Sequence, residues 1–188
     1  MQSHTQKYDP LSQIFHWLSA LAVLGAFVLG PGGFGRLMRQ GVDPATRWDI
    51  VWHESLGVFV FAITLARLLW VALRPGRPDF ELATWMRWLS RGVQLALWIL
   101  MLCLPLTALL CLGGEGHPVT LLGPLRLDLS DSVGALAIAH ALDWGDVHQF
   151  LGDLIMWLAG AHALAAILHG VVLKDGVLSA MLPGRLSR

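Results

Sequence analysis

The sequence predicts an all-α integral membrane protein, a four-helix up-down bundle, and three observations predict it. Four apolar runs are long enough to cross a bilayer. Charged residues make up only 14% of the chain, against about 25% in soluble domains. The tryptophans cluster at the ends of the apolar runs, where an amphipathic ring meets the membrane–water interface: Trp17, Trp48, Trp52, Trp70, Trp85, Trp88 and Trp144. With 188 residues the chain holds one domain, 1–188, and leaves no room for a sizeable soluble part. A formal net charge of zero and no Lys/Arg block give no footprint for nucleic acid.

A hydrocarbon core of about 30 Å takes about 20 helical residues. The spans fall near Leu11 to Gly30, Ile50 to Leu73, Val93 to Leu112 and Val147 to Leu173. The first reads as a span rather than a signal peptide: it is long, Lys7 alone precedes it as a basic residue, and it contains a histidine. Pro31 to Asp49 is a Gly-rich connection and Arg74 to Gly92 a short basic one. Gly113 to Asp146 is the longest and carries Glu115, Asp128, Asp131, Asp143 and Asp146. Within it, Asp131 to Leu142 reads as a short amphipathic surface helix. Cys103 and Cys111 share one span, about 12 Å apart along it, too far for a disulfide.

Basic residues set orientation. With the N-terminus inside, Lys7, Arg74, Arg77, Arg87, Arg91, Lys174, Arg185 and Arg188 lie on the inner side, and Arg36, Arg39, Arg47 and Arg126 on the outer. The excess places both termini in the cytoplasm.

Chemistry enters through histidine. Five of the eight histidines, His16, His53, His148, His162 and His169, lie within the spans, where ionisable side chains are costly and mark function by default. His148 and His162 are 14 residues apart. They share one helix face about 21 Å apart along the axis, too far to hold one ion together. In an up-down bundle His53 and His148 fall at the outer level, His16 and His162 at the inner. Zinc asks for three or four protein ligands, whereas haem brings four ring nitrogens and asks for two axial ligands. Two histidines per level therefore predict two haem groups. Ala20, Gly57, Gly152 and Ala166 each follow a proposed ligand by four residues, on the same helix face, and small side chains there admit a flat macrocycle. Arg67, 14 residues past His53, is expected to meet a propionate of the inner haem, the alternative being a side chain that snorkels to the interface. His169 reads as a propionate or quinone contact, or as a plain interfacial histidine.

The segments Gln13-Ile-Phe-His16-Trp17-Leu18, Trp52-His53-Glu54-Ser55-Leu56-Gly57 and Leu104-Pro105-Leu106-Thr107, with His148, His162, His169, Lys174-Asp175-Gly176 and Met181-Leu182-Pro183, resemble the bacterial cytochrome b561 family over nearly the whole chain. The resemblance implies a four-helix inner-membrane protein with two haem b groups, axial ligands His16, His53, His148 and His162, and the helix-two arginine at Arg67. It departs in helix three, where relatives often show a His followed four residues later by a Tyr and this chain has Gln94 and Trp98. Two functions follow. One is a superoxide:ubiquinone oxidoreductase, with outer arginines drawing in the anion. The other is a quinone-linked membrane anchor that exchanges electrons with a separate periplasmic or membrane redox protein docked on the acidic third loop. A haem-free transporter is the least favoured, since only Pro105 interrupts a span.

Overall fold

The computed structural model describes residues 7–74, 76, 78–122 and 125–183, with no side-chain description at 35, 38 and 39. Arg77, Arg185, Arg188 and the side chain of Arg39, used above for orientation, lie outside what is described. Four helices are long and apolar enough to cross a membrane: α1 (Pro10–Leu29), α3 (Trp48–Leu73), α4 (Thr84–Gly114) and α6 (Trp144–Leu168), the last continuing as a π-helical turn, His169–Leu173. Shorter helices α2 (Phe34–Arg39), α5 (Ser130–Gly134) and α7 (Val177–Met181) lie in the connections and the tail.

Two of the four spans start at a side-chain cap. Asp9 caps α1 by accepting from the Ser12 amide, with Pro10 at the first helical position, the preferred arrangement for orphan amides at a helix start. Asp143 caps α6 in the same way through the Asp146 amide. The third span begins at Thr84 rather than near Val93. Its first turns, with Trp85, Arg87, Trp88 and Arg91, read as basic loop in the sequence because they are polar and aromatic. They continue the helix through the interface, where those side chains are favoured.

Neighbouring spans run antiparallel. Ser12, at the start of α1, meets Trp70 and Arg74 at the end of α3, while Ala26 near the other end of α1 meets His53. Leu104 and Thr107, late in α4, meet His148, early in α6. The packing is uneven. α1 lies along α3 and α4 along α6, α3 also touches α4, but the backbones of α1 and α6 meet only sparsely. No more than 22% of any span's apolar window is buried inside the protein, so most apolar surface faces lipid or the gaps between helices. One apolar plug, built from all four spans by Ala22, Val60, Leu100, Met101 and Ile155, fills the centre.

The third connection differs from expectation. Asp131 to Leu142 is not one amphipathic helix. It breaks into α5 and a 3₁₀ turn, Ala137–His140, preceded by a two-residue hairpin of β1 (Val119–Thr120) and β2 (Arg126–Leu127). The break follows from close backbone contact. An added Cβ at Gly134 would lie 2.7 Å from the Gly113 carbonyl oxygen, and one at Gly114 would lie 2.8 Å from that of Ala139. Glycine also weakens a helix interior. At Gly113 an added Cβ would sit 2.5 Å from Cβ of Val133. Gly113→Ala is therefore expected to lower stability by about 1–3 kcal/mol through overpacking, read as an earlier thermal transition in detergent. An unchanged melting temperature would show that the loop can retreat from α4.

The inner end is tied by polar contacts. Trp70 Nε1 donates to Asp9 Oδ1 (3.0 Å) and Arg74 to Ser12 Oγ (2.8 Å), with Arg74 3.6 Å from the Asp9 carboxylate. Gln13 donates to the Ala180 carbonyl and Trp17 to that of Met181, which fastens α7 to α1. Partial burial works to raise the Asp9 pKa, but hydrogen bonds from Ser12 and Trp70 and the charge of Arg74 outweigh it and hold the carboxyl below its ordinary range.

Candidate haem-binding sites

The interior histidines come together in the two couples expected from their depth. The rings of His53 on α3 and His148 on α6 have centroids 5.9 Å apart and cross at 81°. Those of His16 on α1 and His162 on α6 are 6.3 Å apart at 68°. All four side chains are half-buried. The couples lie on opposite sides of the apolar plug, 14 residues apart along α6.

Hydrogen bonds fix the outer rings. His53 Nδ1 lies 2.7 Å from the Ala26 carbonyl oxygen, and His148 Nδ1 lies 3.0 Å from that of Leu104. A carbonyl only accepts, so each Nδ1 carries the proton and each Nε2 keeps its lone pair for a metal. Such a bond from the far nitrogen commonly orients a metal-bound imidazole. Thr107 reinforces the second one: its hydroxyl donates to the same Leu104 oxygen (2.8 Å) and lies 3.1 Å from His148 Nδ1. Among the described residues neither ring nitrogen of His16 or His162 has a hydrogen-bond partner.

The geometry fits an iron between each couple. Two imidazole nitrogens each about 2 Å from one metal put their ring centroids about 6 Å apart. Nowhere among the described residues do three His, Cys, Asp or Glu side chains gather, so the remaining ligands have to come with the group, as they do in haem. Space is present as well. A Cβ added at Gly57 or Gly152 would meet nothing within 4 Å, and one at Gly30 would touch His53 Cε1 at 3.5 Å. Gly30 thus abuts His53, and Gly57 and Gly152 leave open space one turn beyond His53 and His148.

The other expected residues are also placed. Arg67 stays within the bundle, its guanidinium carbon 4.7 Å from the centroid of Trp98, a cation–π contact. Trp98, noted in sequence only as a departure in helix three, is therefore the partner of Arg67. His169 opens the π-helical turn and donates from Nδ1 to the Asp175 carboxylate, which also accepts from the Val177 amide. The turn ends at Lys174 in the left-handed conformation (φ 52°), before Gly176 (φ 86°). Those two residues reverse the chain and bring Asp175 back to His169. Asp175, Thr107 and the Ala26 and Leu104 carbonyls were not singled out from sequence as orienting partners. Asp175 and Thr107 lay inside quoted motifs, but a backbone acceptor leaves no trace in residue type.

Over the outer couple, Glu54 accepts from the Thr120 amide and Ser55 from the Leu122 amide. The residues after His53 thereby clasp the third connection to α3. Of the four outer arginines, Arg47 is paired with Asp49 (2.6 Å) and Arg126 with Asp43 (3.1 Å), so part of the expected anion-attracting charge is neutralised.

A four-helix membrane bundle whose imidazoles meet in twos between helices is the architecture of a membrane cytochrome. Comparison narrows this to a family. The family described as prokaryotic cytochrome b561 matches residues 7–184. The chain is 28% identical over 182 residues to cytochrome b561 homolog 2 of Escherichia coli (strain K12), covering 94% of this chain and 92% of that one. It is 26% identical over 189 residues to the probable superoxide oxidase CybB of Yersinia pestis, covering 95% and 97%. The chain belongs to the prokaryotic cytochrome b561 family, and is a multi-pass membrane haem protein of the electron-transport class.

Proposed function

We propose that the protein holds two haem b groups, an outer one between His53 and His148 and an inner one between His16 and His162, and moves electrons across the inner membrane to or from ubiquinone. The observation that carries this reading is the pair of imidazole couples at two depths, each with centroids about one iron-bridged separation apart. When bound, haem supplies one-electron redox chemistry that no side chain here offers. The chain's own residues do the rest. Ala26 and Leu104 hold the outer imidazoles in the ligating tautomer, Gly57 and Gly152 leave room for the macrocycle, and Arg67, steadied by Trp98, offers a cation to an inner propionate. Both termini lie in the cytoplasm in this reading, following the excess of basic residues on that side.

At the inner end, His169 with Asp175 is the quinone contact. The Asp175 carboxylate fixes the imidazole so that Nε2 can accept or give a hydrogen bond at a quinone oxygen. At the outer end the donor is superoxide, by likeness to the relative from Yersinia pestis, reaching the edge of the outer site past the arginines of the first loop. The test is stopped-flow mixing of the purified haem-loaded protein with superoxide. Haem reduction is expected to outpace spontaneous dismutation; a slower rate would sink the superoxide assignment.

One observation favours a second reading. Arg47 and Arg126 are already ion-paired, while Asp131, Asp143 and Asp146 of the third connection are exposed. That surface suits a basic periplasmic redox protein, since charge complementarity governs encounter rate and specificity. Co-purification of such a protein from native membranes, together with a slow superoxide reaction, would select this reading.

A further inference from the structure

Asp153 stands apart from the machinery above. It lies on α6, five residues past His148 and nine before His162, so its Cα is about 7.5 Å inward of His148 along the axis and about 140° around the helix from it. The carboxyl therefore leaves the face that carries the histidines. It is exposed and has no hydrogen-bond or ion-pair partner among the described residues. An ionisable group at this depth is costly and marks function unless it is partnered.

It lines a groove of about 370 Å³ with Phe27 of α1 and Met156, Trp157 and Gly160 of α6. The groove lies where the backbones of α1 and α6 barely meet. Trp157 is 81% exposed, so the groove opens sideways into the bilayer rather than into water. Phe27 directly follows Ala26, whose carbonyl holds the outer histidine of α3. The groove thus runs from the backbone that positions the outer couple, at Phe27, to Gly160, two residues before His162, and stops about 13 Å along α6 short of the His169–Asp175 pair.

We propose that this groove is a second quinone-class site, at the depth between the two histidine couples, which binds the reduced form of a membrane-dissolved isoprenoid quinone. It rests on the quinone reading above. Each part of such a ligand finds its counterpart. The planar ring packs between Phe27 and Trp157, the apolar tail leaves through the lipid-facing mouth, and a ring hydroxyl donates to the Asp153 carboxylate. Only the hydroquinone carries that donor, so the site discriminates between redox forms. A phospholipid headgroup matches poorly, because its phosphate belongs at the membrane surface and the groove lies between the two histidine levels.

The test is photolabelling of the haem-loaded protein in nanodiscs by a short-chain ubiquinol with a diazirine on its tail, followed by peptide mapping. Labelled peptides are expected to contain Phe27 and Trp157, in competition with unlabelled decylubiquinol and not with decylubiquinone. Asp153→Leu should reduce that labelling roughly tenfold, the scale of losing a hydrogen bond to a charged group, with the haem spectrum unchanged. Asp153→Asn, which keeps an acceptor, should retain most of it. Should Asp153→Leu fail to fold, Trp157→Ala supplies the same comparison. Labelling confined to the inner end would overturn this site and leave the quinone reading standing; no labelling anywhere would remove both. Labelling unaffected by Asp153→Leu, or a dimer that becomes a monomer in that variant, would also overturn it, the latter by assigning the groove to a second copy of the chain.

Discussion

His53→Ala is expected to lower the haem content from two per chain to one, and His16→Ala to do the same by removing the other haem. A haem held by two imidazoles from different helices loses half its axial ligation when one ring goes, and the remaining imidazole cannot bridge the gap. Pairing makes the prediction sharper than a simple loss. If His53 and His148 serve one iron, the double variant His53→Ala/His148→Ala should still keep one haem, because its two changes act on one site and do not add. His53→Ala/His16→Ala combines changes at separate sites and should keep none. The measurement is a haem count per chain with the dithionite-reduced minus oxidised spectrum in each variant. If His53→Ala/His148→Ala lost both haems, the couples would not be the ligating pairs, whatever their spacing.

Much of this arrangement was legible in the sequence because a membrane imposes simple rules. Four apolar runs must be helices, since no other open structure satisfies its backbone in lipid. Once they are helices that alternate in direction, the depth of each histidine is fixed by its residue number alone. That is why residue number alone pairs His53 with His148 and His16 with His162. Depth says nothing, however, about what a ring nitrogen touches. The Ala26 and Leu104 carbonyls belong to unremarkable residues, and they orient the outer imidazoles because of how the helices are rotated. Trp98 looked like a loss relative to family members and is instead the aromatic face under Arg67. The early start of α4 at Thr84 was hidden because interfacial Trp and Arg read as loop on a hydropathy scale. The broken helix around Gly134 was hidden for another reason: amphipathic periodicity is local, whereas the contact of Gly113 with Val133 and Gly134 is set by tertiary packing.

The glycines beside the outer couple give the second large effect. Gly57 and Gly152 stand one turn beyond His53 and His148, and a Cβ at either meets nothing within 4 Å. In a helix interior, replacing Gly with Ala ordinarily stabilises by about 0.5–1 kcal/mol, so an open position without a ligand should favour the change. Gly57→Phe or Gly152→Phe separates the possibilities. If the space faced only lipid, a phenyl ring would be accommodated and both haems kept. If a macrocycle lies against these two backbones, the ring occupies its place and the outer haem is lost, while the inner one, held by His16 and His162, remains. Gly92 provides the control: it lies on α4, is exposed, and a Cβ there also meets nothing, yet it is near neither couple. Gly92→Phe should leave the haem count at two. The expected result is therefore one haem in Gly57→Phe and in Gly152→Phe against two in Gly92→Phe, read by optical spectroscopy on protein purified in parallel. Two haems in all three variants would mean that the gap beside α3 and α6 is not where the outer macrocycle sits.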